Sequence, residues 1–332
     1  MKLQSLYEIV IVGAGPAGIS LAVEAVKKGI RPESIIVLEK FQDHSWSIRK
    51  FYPDDKLVTA NYKGTDVACT GTMCLLDSSK EETLDYLGQA IQDNNIPVLY
   101  NHSVNEIKKL RNGQYVVCSN NECFVTKTVA IAIGVLGKPN KPDYPIPSDI
   151  SSQVLFDVTS KDIRGKNVLV VGGGDSASEY VQFLVERGNK VSLSYRRDSF
   201  GRMNDINKNS LELLGKNKKA SLLLKTNISE IKKSGDKVEV LFKERESSSF
   251  DFVIYALGGS TPKDFLSSIG IAMTKEGPEI SNFFESEQEG VFLLGDLSAG
   301  RGGGSINVAF NSSHKAMEEV CSMYLDCPIK SN

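Results

Sequence analysis

No two of the six cysteines, Cys69, Cys74, Cys118, Cys123, Cys321 and Cys327, are separated by only two residues. A redox C-x-x-C is therefore absent, and scattered cysteines in a chain of this length read as reduced thiols of a cytoplasmic protein. A basic excess is absent too. Lys and Arg total 39 against 41 Asp and Glu, a formal net charge of −2, so no global positive field points to nucleic acid as a partner. No apolar run approaches the roughly 20 residues of a membrane span. The apolar stretch at residues 9–23 is preceded by Glu8 and broken by Gly13-Ala14-Gly15-Pro16, which suits a strand-to-helix turn and not a leader core. No metal site is expected.

What is present fits a soluble globular protein. The chain has 332 residues, enough for about two domains, with 41% apolar and 24% charged residues. It also repeats itself at long range. "EIVIVGAGPAGISLAVEAVKKGI" followed by "SIIVLEK" matches "KNVLVVGGGDSASEYVQFLVERGNK" followed by "VSLSYRR". Each reads as apolar strand, glycine turn, helix, second strand, and the unbroken apolar strands predict parallel sheets covered on both faces. Both units close alike, with "NEIKKLRNGQYVV" and "SEIKKSGDKVEVLF" as hairpins around Asn-Gly and Gly-Asp turns. Four prolines within residues 134–149 mark an extended connection between the units. The tail, with one strand "GVFLLGD" and a helix opening at Ser305, is too small to stand alone and is expected to return to the first unit.

Gly13, Gly15 and Gly18 form G-x-G-x-x-G between a strand and a helix. Gly13 permits the turn, Gly15 lets a pyrophosphate approach, and Gly18 allows close helix–strand contact, with the anion on the helix N-terminus. Glu39 ends the next strand, where a carboxylate accepts from both hydroxyls of an unmodified ribose. Gly172, Gly174 and Ala177 repeat the pattern, and Ser176 adds a hydroxyl donor. There the second strand ends in Arg196 and Arg197, with Arg202 beyond. An acid repels a 2′-phosphate and arginine binds it bidentately, so the second site is expected to take NADPH. Asp296 at a strand end suits a sugar or ribityl hydroxyl. Ser305 is open to two compatible readings: an N-cap, or the start of a helix facing the electron-rich edge of a flavin.

The combination "GAGPAG…VLEK", "GGGDSASE…YRR" and "VFLLGD" resembles the low-molecular-weight thioredoxin reductase-like flavoproteins over nearly the whole chain. The resemblance implies an α/β fold of two nested Rossmann-like domains, each a parallel sheet with helices on both faces and a small β-meander. FAD is expected in a discontinuous domain of residues 1–138 and 260–332, and NADPH in an inserted domain of residues 139–259. A homodimer and a domain rotation that brings nicotinamide to flavin are implied as well. Cofactor-binding residues are expected also at Pro16, Ala17, Lys40, Ile48, Tyr52, Val104, Gly134, Asp175, Glu179, Gly258, Gly295 and Ile306. Tyr52 and Trp46 are candidates to lie near the flavin ring, or to be plain packing.

Departures from the family narrow the chemistry. Without the C-x-x-C before the second glycine loop, thioredoxin reduction by that route is excluded. "SIRKFYP" is similar to the bacillithiol disulfide reductases, but their first-loop cysteine is Ala17 here. The stretches "YRRDSFGRMND" and "YALGGSTPKDF" are similar to the cysteine-free ferredoxin/flavodoxin–NADP reductases and flavodoxin:quinone reductases. That implies hydride transfer from NADPH to FAD, then electrons to flavodoxin or ferredoxin, with quinone as a further acceptor. No catalytic side chain is required for the reductive half. Two alternatives stand beside it: a thiol/disulfide reductase using Cys69 and Cys74, and a non-catalytic dinucleotide sensor.

Overall fold

The computed structural model describes residues 3–54, 56–60, 67–120, 122–134, 139–201, 203–258, 262–274, 277–299 and 304–329. In chain order come β1 (Leu3–Val12), α1 (Pro16–Lys27), β2 (Ile35–Leu38), α2 (Trp46–Phe51), β3 (Leu57–Val58), β4 (Ser78–Ser79), α3 (Lys80–Asp93), β5 (Val98–Leu99), β6 (Val104–Lys109), β7 (Tyr115–Ser119) and β8 (Glu122–Ile131). Then follow β9 (Val154–Leu155), β10 (Asn167–Val171), α4 (Asp175–Glu186), β11 (Lys190–Tyr195), α5 (Asp205–Lys216), β12 (Ala220–Leu224), β13 (Ile228–Ser234), β14 (Lys237–Phe242), β15 (Ser248–Phe250) and β16 (Phe252–Tyr255). The tail holds α6 (Lys263–Ser268), β17 (Val291–Leu293) and α7 (Ile306–Met323). No helix of the described residues is long and apolar enough to cross a membrane.

The chain forms two compact units, one of residues 1–49, 57–137 and 260–332, the other of residues 50–56 and 138–259. The boundaries expected from the sequence put 50–56 in the first domain. The structure groups these residues with the second because their partners lie there. Lys56 Nζ bonds both carboxylate oxygens of Glu179 at 2.8 and 2.7 Å, and Thr159 Oγ1 donates to the Lys50 carbonyl.

In the first unit one sheet runs β5-β2-β1-β8-β7-β6, with β17 also on β8. β8 is long enough to serve two neighbours on one edge. Its start pairs antiparallel with β7, and Val129–Ile131 pairs parallel with β17. Alternation divides the core. Val10, Val12, Ile36 and Leu38 point into a cluster with Ile107, Tyr115, Val117, Phe124 and Leu266. α1 and α7 pack against each other in the same unit.

The second unit has a parallel sheet β12-β11-β10-β16-β9 and a separate antiparallel sheet β13-β14-β15. Successive residues of β10 face opposite layers, as a pleated strand requires. Val168 and Val170 meet Val181 and Leu184 of α4, while Leu169 meets Ile231, Val238 and Val240 of the meander. A helix layer therefore covers one face and the meander the other. The repeat extends to defects. β6–β7 and β13–β14 carry a register shift at the same place, between Val104 and Glu106 and between Ile228 and Glu230, and each "EIKK" buries only its isoleucine.

Candidate functional site

The first glycine loop is built by steric necessity. Gly13 has φ +105°, and a Cβ there would stand 2.6 Å from the Ala132 carbonyl. A Cβ on Gly18 would stand 2.0 Å from the Gly13 carbonyl. Only glycine allows α1 to start this close to β1 and β8. Gly15 occupies the N-cap position and Pro16 the first turn, so the free N–H groups of that turn face outward from the loop. Glu39, 7% exposed, fixes the loop from the next strand. Its Oε2 accepts from Ala14 N at 2.8 Å and its Oε1 from Phe41 N at 2.9 Å. Each oxygen keeps a lone pair, so the carboxylate can still accept ribose hydroxyls.

The tail closes on this loop. Ser313 Oγ donates to the Ala17 carbonyl at 2.8 Å, and Gly295 N donates to Ser312 Oγ at 3.1 Å. A Cβ on Gly295 would stand 3.0 Å from the Ala17 Cβ. Asp296 accepts from Gly304 N at 2.6 Å; burial raises its carboxyl above the usual range, and that bond lowers it. Ser305 is the N-cap of α7, its Oγ accepting from Val308 N at 3.3 Å, with Ile306 buried behind it. Ala17, Glu39, Gly295, Asp296 and Ser305 thus belong to one constellation. Ile48 is buried on α2. Lys40 is exposed, its ammonium 4.7 Å from the Phe41 ring centre. Val104 opens β6 and Gly134, at φ +63°, follows β8.

The second loop differs in detail. A Cβ on Gly172 would stand 2.4 Å from the Ala256 carbonyl, and one on Gly173 would stand 2.1 Å from the Tyr195 ring. Tyr195 itself stacks on Phe200 at 5.5 Å. Gly174, the N-cap of α4, has nothing within 4 Å of such an atom. Ser176 is exposed at the helix start and Ala177 fully buried. Asp175 serves the fold: its Oδ1 accepts from Asn204 N at 2.8 Å and Asn207 Nδ2 at 3.2 Å. Asn207 also reaches Glu179, whose charge Lys56 already balances. Burial lowers the Lys56 ammonium, but the Tyr52 and Glu179 oxygens outweigh it and raise the group overall. Gly258 follows β16 at φ +77° and accepts from Asn140 N. Arg196 and Arg197 are exposed, and among the described residues neither guanidinium has an ion-pair or hydrogen-bond partner. Arg202 lies outside the described residues.

The family model for pyridine nucleotide-disulphide oxidoreductases matches residues 10–295, from the first strand to the glycine before Asp296. The chain belongs to this family. It is an NAD(P)H-dependent flavoprotein oxidoreductase with FAD and NADPH as cofactors, on the thioredoxin-reductase-type two-domain fold. A ferredoxin–NADP reductase of Ignicoccus hospitalis is 26% identical over 315 residues, covering 88% of this chain and 90% of its own. Among solved structures, a bacillithiol disulfide reductase of Staphylococcus aureus superposes with TM-score 0.81 at 19% identity, covering 96% and 99% of the two chains. A thioredoxin reductase of Lactococcus lactis gives TM-score 0.77 at 21% identity, covering 95% and 98%.

The expectation about the cysteines needs correction in this flavoprotein. The six cysteines are not reduced thiols; they form disulfides 69–74, 118–123 and 321–327. Cys118 and Cys123 are register partners in the β7–β8 hairpin, which brings their side chains together. Trp46 stacks on Phe41 at 4.7 Å, and Tyr52 carries the Lys56 ammonium 3.9 Å from its ring centre, within the second unit. Lys56 and the polar cluster at His44 carry no motif in the sequence that marks them. Arg49 donates to His44 Nε2 at 2.8 Å, which leaves Nδ1 to carry the proton toward Ser45 Oγ at 3.2 Å.

Proposed function

We propose that this flavoprotein takes reducing equivalents from NADPH and delivers them to a small electron-carrier protein of the ferredoxin or flavodoxin kind, with quinones as a second acceptor. What carries the reading is the contrast between two equivalent strand ends. Glu39 presents a carboxylate fixed over its glycine loop, suited to the free ribose hydroxyls of FAD. Arg196 and Arg197 present two guanidinium groups with no partner among the described residues, suited to the 2′-phosphate of NADPH. When bound, FAD supplies the hydride-accepting and electron-passing chemistry. The chain's own part is to hold and orient. The first turn of α1 meets a pyrophosphate through its N–H groups, and Gly174 and Ser176 do the same in the second unit. Asp296 offers an acceptor to a sugar or ribityl hydroxyl, and the start of α7 directs its positive end outward beside it. The name of the Ignicoccus relative supports a ferredoxin partner. The test is anaerobic addition of NADPH, followed by mixing with flavodoxin, ferredoxin, quinone and small disulfides in separate stopped-flow runs. Bleached flavin that reoxidises fastest with a carrier protein supports the reading. A flavin that NADPH does not bleach, or one that only disulfides reoxidise, overturns it.

A further inference from the structure

The three disulfides differ in what they do for the fold. Cys118–Cys123 crosses the β7–β8 hairpin with both residues buried, at 9% and 6% exposure. Cys327 is also buried, 7% exposed, and Cys321 half-buried. In the Cys69–Cys74 pair Cys69 is half-buried and Cys74 is exposed, the one exposed cysteine among the described residues.

The loop carrying Cys69–Cys74 does not depend on that bond for its shape. Asn311 of α7 accepts from both Thr70 N and Thr70 Oγ1 at 3.0 Å and donates to the Ala68 carbonyl at 2.8 Å. Asn307, one turn earlier, grips Leu75 at both N and O at 2.9 Å. Between them Thr72 N donates to Glu24 Oε1 of α1 at 2.5 Å, and Cys74 N to the Tyr86 hydroxyl of α3 at 3.1 Å. Side chains from three helices thus fix the backbone on both sides of each cysteine. With the Cα atoms held 5.6 Å apart, two thiols stay within pairing distance after the bond opens.

We propose that Cys69–Cys74 is a thiol–disulfide exchange site for low-molecular-weight thiols, with Cys74 the attacked sulfur, distinct from the nucleotide sites and independent of the proposed electron acceptor. An external thiolate attacks Cys74 Sγ. The S–S bond to Cys69 breaks, a mixed disulfide forms on Cys74, and Cys69 leaves as a thiolate. A second external thiolate attacks the external sulfur of the mixed disulfide, giving a free small disulfide and the Cys74 thiolate. Two thiols are oxidised, one protein disulfide is reduced, and the two protons released by the thiols pass to Cys69 and Cys74. Run backwards, a small disulfide re-forms the bond.

The test uses the FAD-loaded protein, first equilibrated with oxidised glutathione, then pulsed with reduced glutathione under native conditions. Free thiols are trapped by alkylation and mapped by peptide mass. Cys69 and Cys74 are expected to open at least about tenfold faster than Cys118–Cys123, because both residues of that bond are buried and attack there needs local unfolding. In Cys69→Ser, the oxidised-glutathione step before the pulse is expected to load glutathione onto Cys74, and in Cys74→Ser little is expected on Cys69. The opened protein should keep its flavin and its melting temperature. Opening no faster than Cys118–Cys123, a failure of the two thiols to pair in oxidised glutathione, or a fall in melting temperature as large as that from opening Cys118–Cys123 would each overturn the proposal. None of these outcomes depends on whether NADPH bleaches the flavin.

Discussion

Replacing Arg196 and Arg197 together by Ala separates a ligand role from a fold role. A charge-assisted hydrogen bond contributes about 1.5–3 kcal/mol. Both guanidinium groups are exposed, which places their joint effect toward the low end, at roughly 2–4 kcal/mol for a bound dianionic phosphate. That corresponds to a roughly 30- to 1,000-fold weaker affinity for NADPH. NADH lacks the phosphate, so its affinity should change by less than about threefold. The fold should not notice, since neither side chain has a partner among the described residues and surface changes of that kind stay within about 0.5 kcal/mol. Fluorescence titration with both nucleotides, beside thermal unfolding, measures all three quantities. Arg196→Lys with Arg197→Lys keeps the charge and loses the fork, and should fall between wild type and the alanine pair. Equal weakening toward NADPH and NADH would refute the phosphate assignment, and a large loss of melting temperature would show that the pair serves the fold.

Gly18→Ala and Gly174→Ala occupy loops of the same pattern, yet should fail differently. The first drives a methyl against the Gly13 carbonyl and should cost a few kcal/mol of stability, read by denaturant titration; the second meets open space and should leave stability intact while weakening NADPH about tenfold or more. His44 has its pKa lowered, first by burial and then by Arg49, so the native state prefers the neutral ring. Stability should be full above 6.5 and fall as the pH drops below it toward the lowered native value; His44→Gln, which keeps an acceptor for Arg49, should flatten melting temperature against pH between 7 and 5. Lys56→Met leaves the Glu179 carboxylate, 14% exposed, without its cation and should destabilise the second unit by about 2–4 kcal/mol; adding Glu179→Gln should restore much of that, giving a double-mutant coupling above about 1 kcal/mol.

What was legible in the sequence was whatever the backbone itself demands. A strand can pass into a helix over a parallel neighbour only with glycine at the tight approach, so Gly13, Gly18 and Gly172 announce the loops. Alternating short strands around the Asn-Gly and Gly-Asp turns announced a doubled hairpin, and the two pair with a register shift at the same place. What stayed hidden depends on partners far along the chain. Nothing near Lys56 points to a carboxylate 123 residues later, and nothing in "HSWSIRK" says that Arg49 turns back onto His44. The Cys118–Cys123 bond lay between these cases. The hairpin was readable, but the pairing follows only once its register is known, because a slip of one residue sends the two side chains to opposite faces.

The two strand ends show how a ligand site differs from a structural one when no ligand is in view. Glu39, Asp175 and Asp296 stand at loop or helix starts and Glu179 one turn into α4, and each has a partner within its own unit. For Asp175 and Glu179 those partners largely account for the charge: one fastens the start of α5 through Asn204, the other neutralises Lys56. Glu39 is intermediate, since two backbone bonds orient it without using up its acceptors. Arg196 and Arg197 stand at the opposite pole, two adjacent cations that repel one another and gain nothing from the described chain. A fold tolerates such a pair at a strand end, but does not need it. An anion arriving from outside would supply the compensation that the fold leaves out, which is why this pair, and not the better-connected acids, is the sharper pointer to the nucleotide the second unit takes.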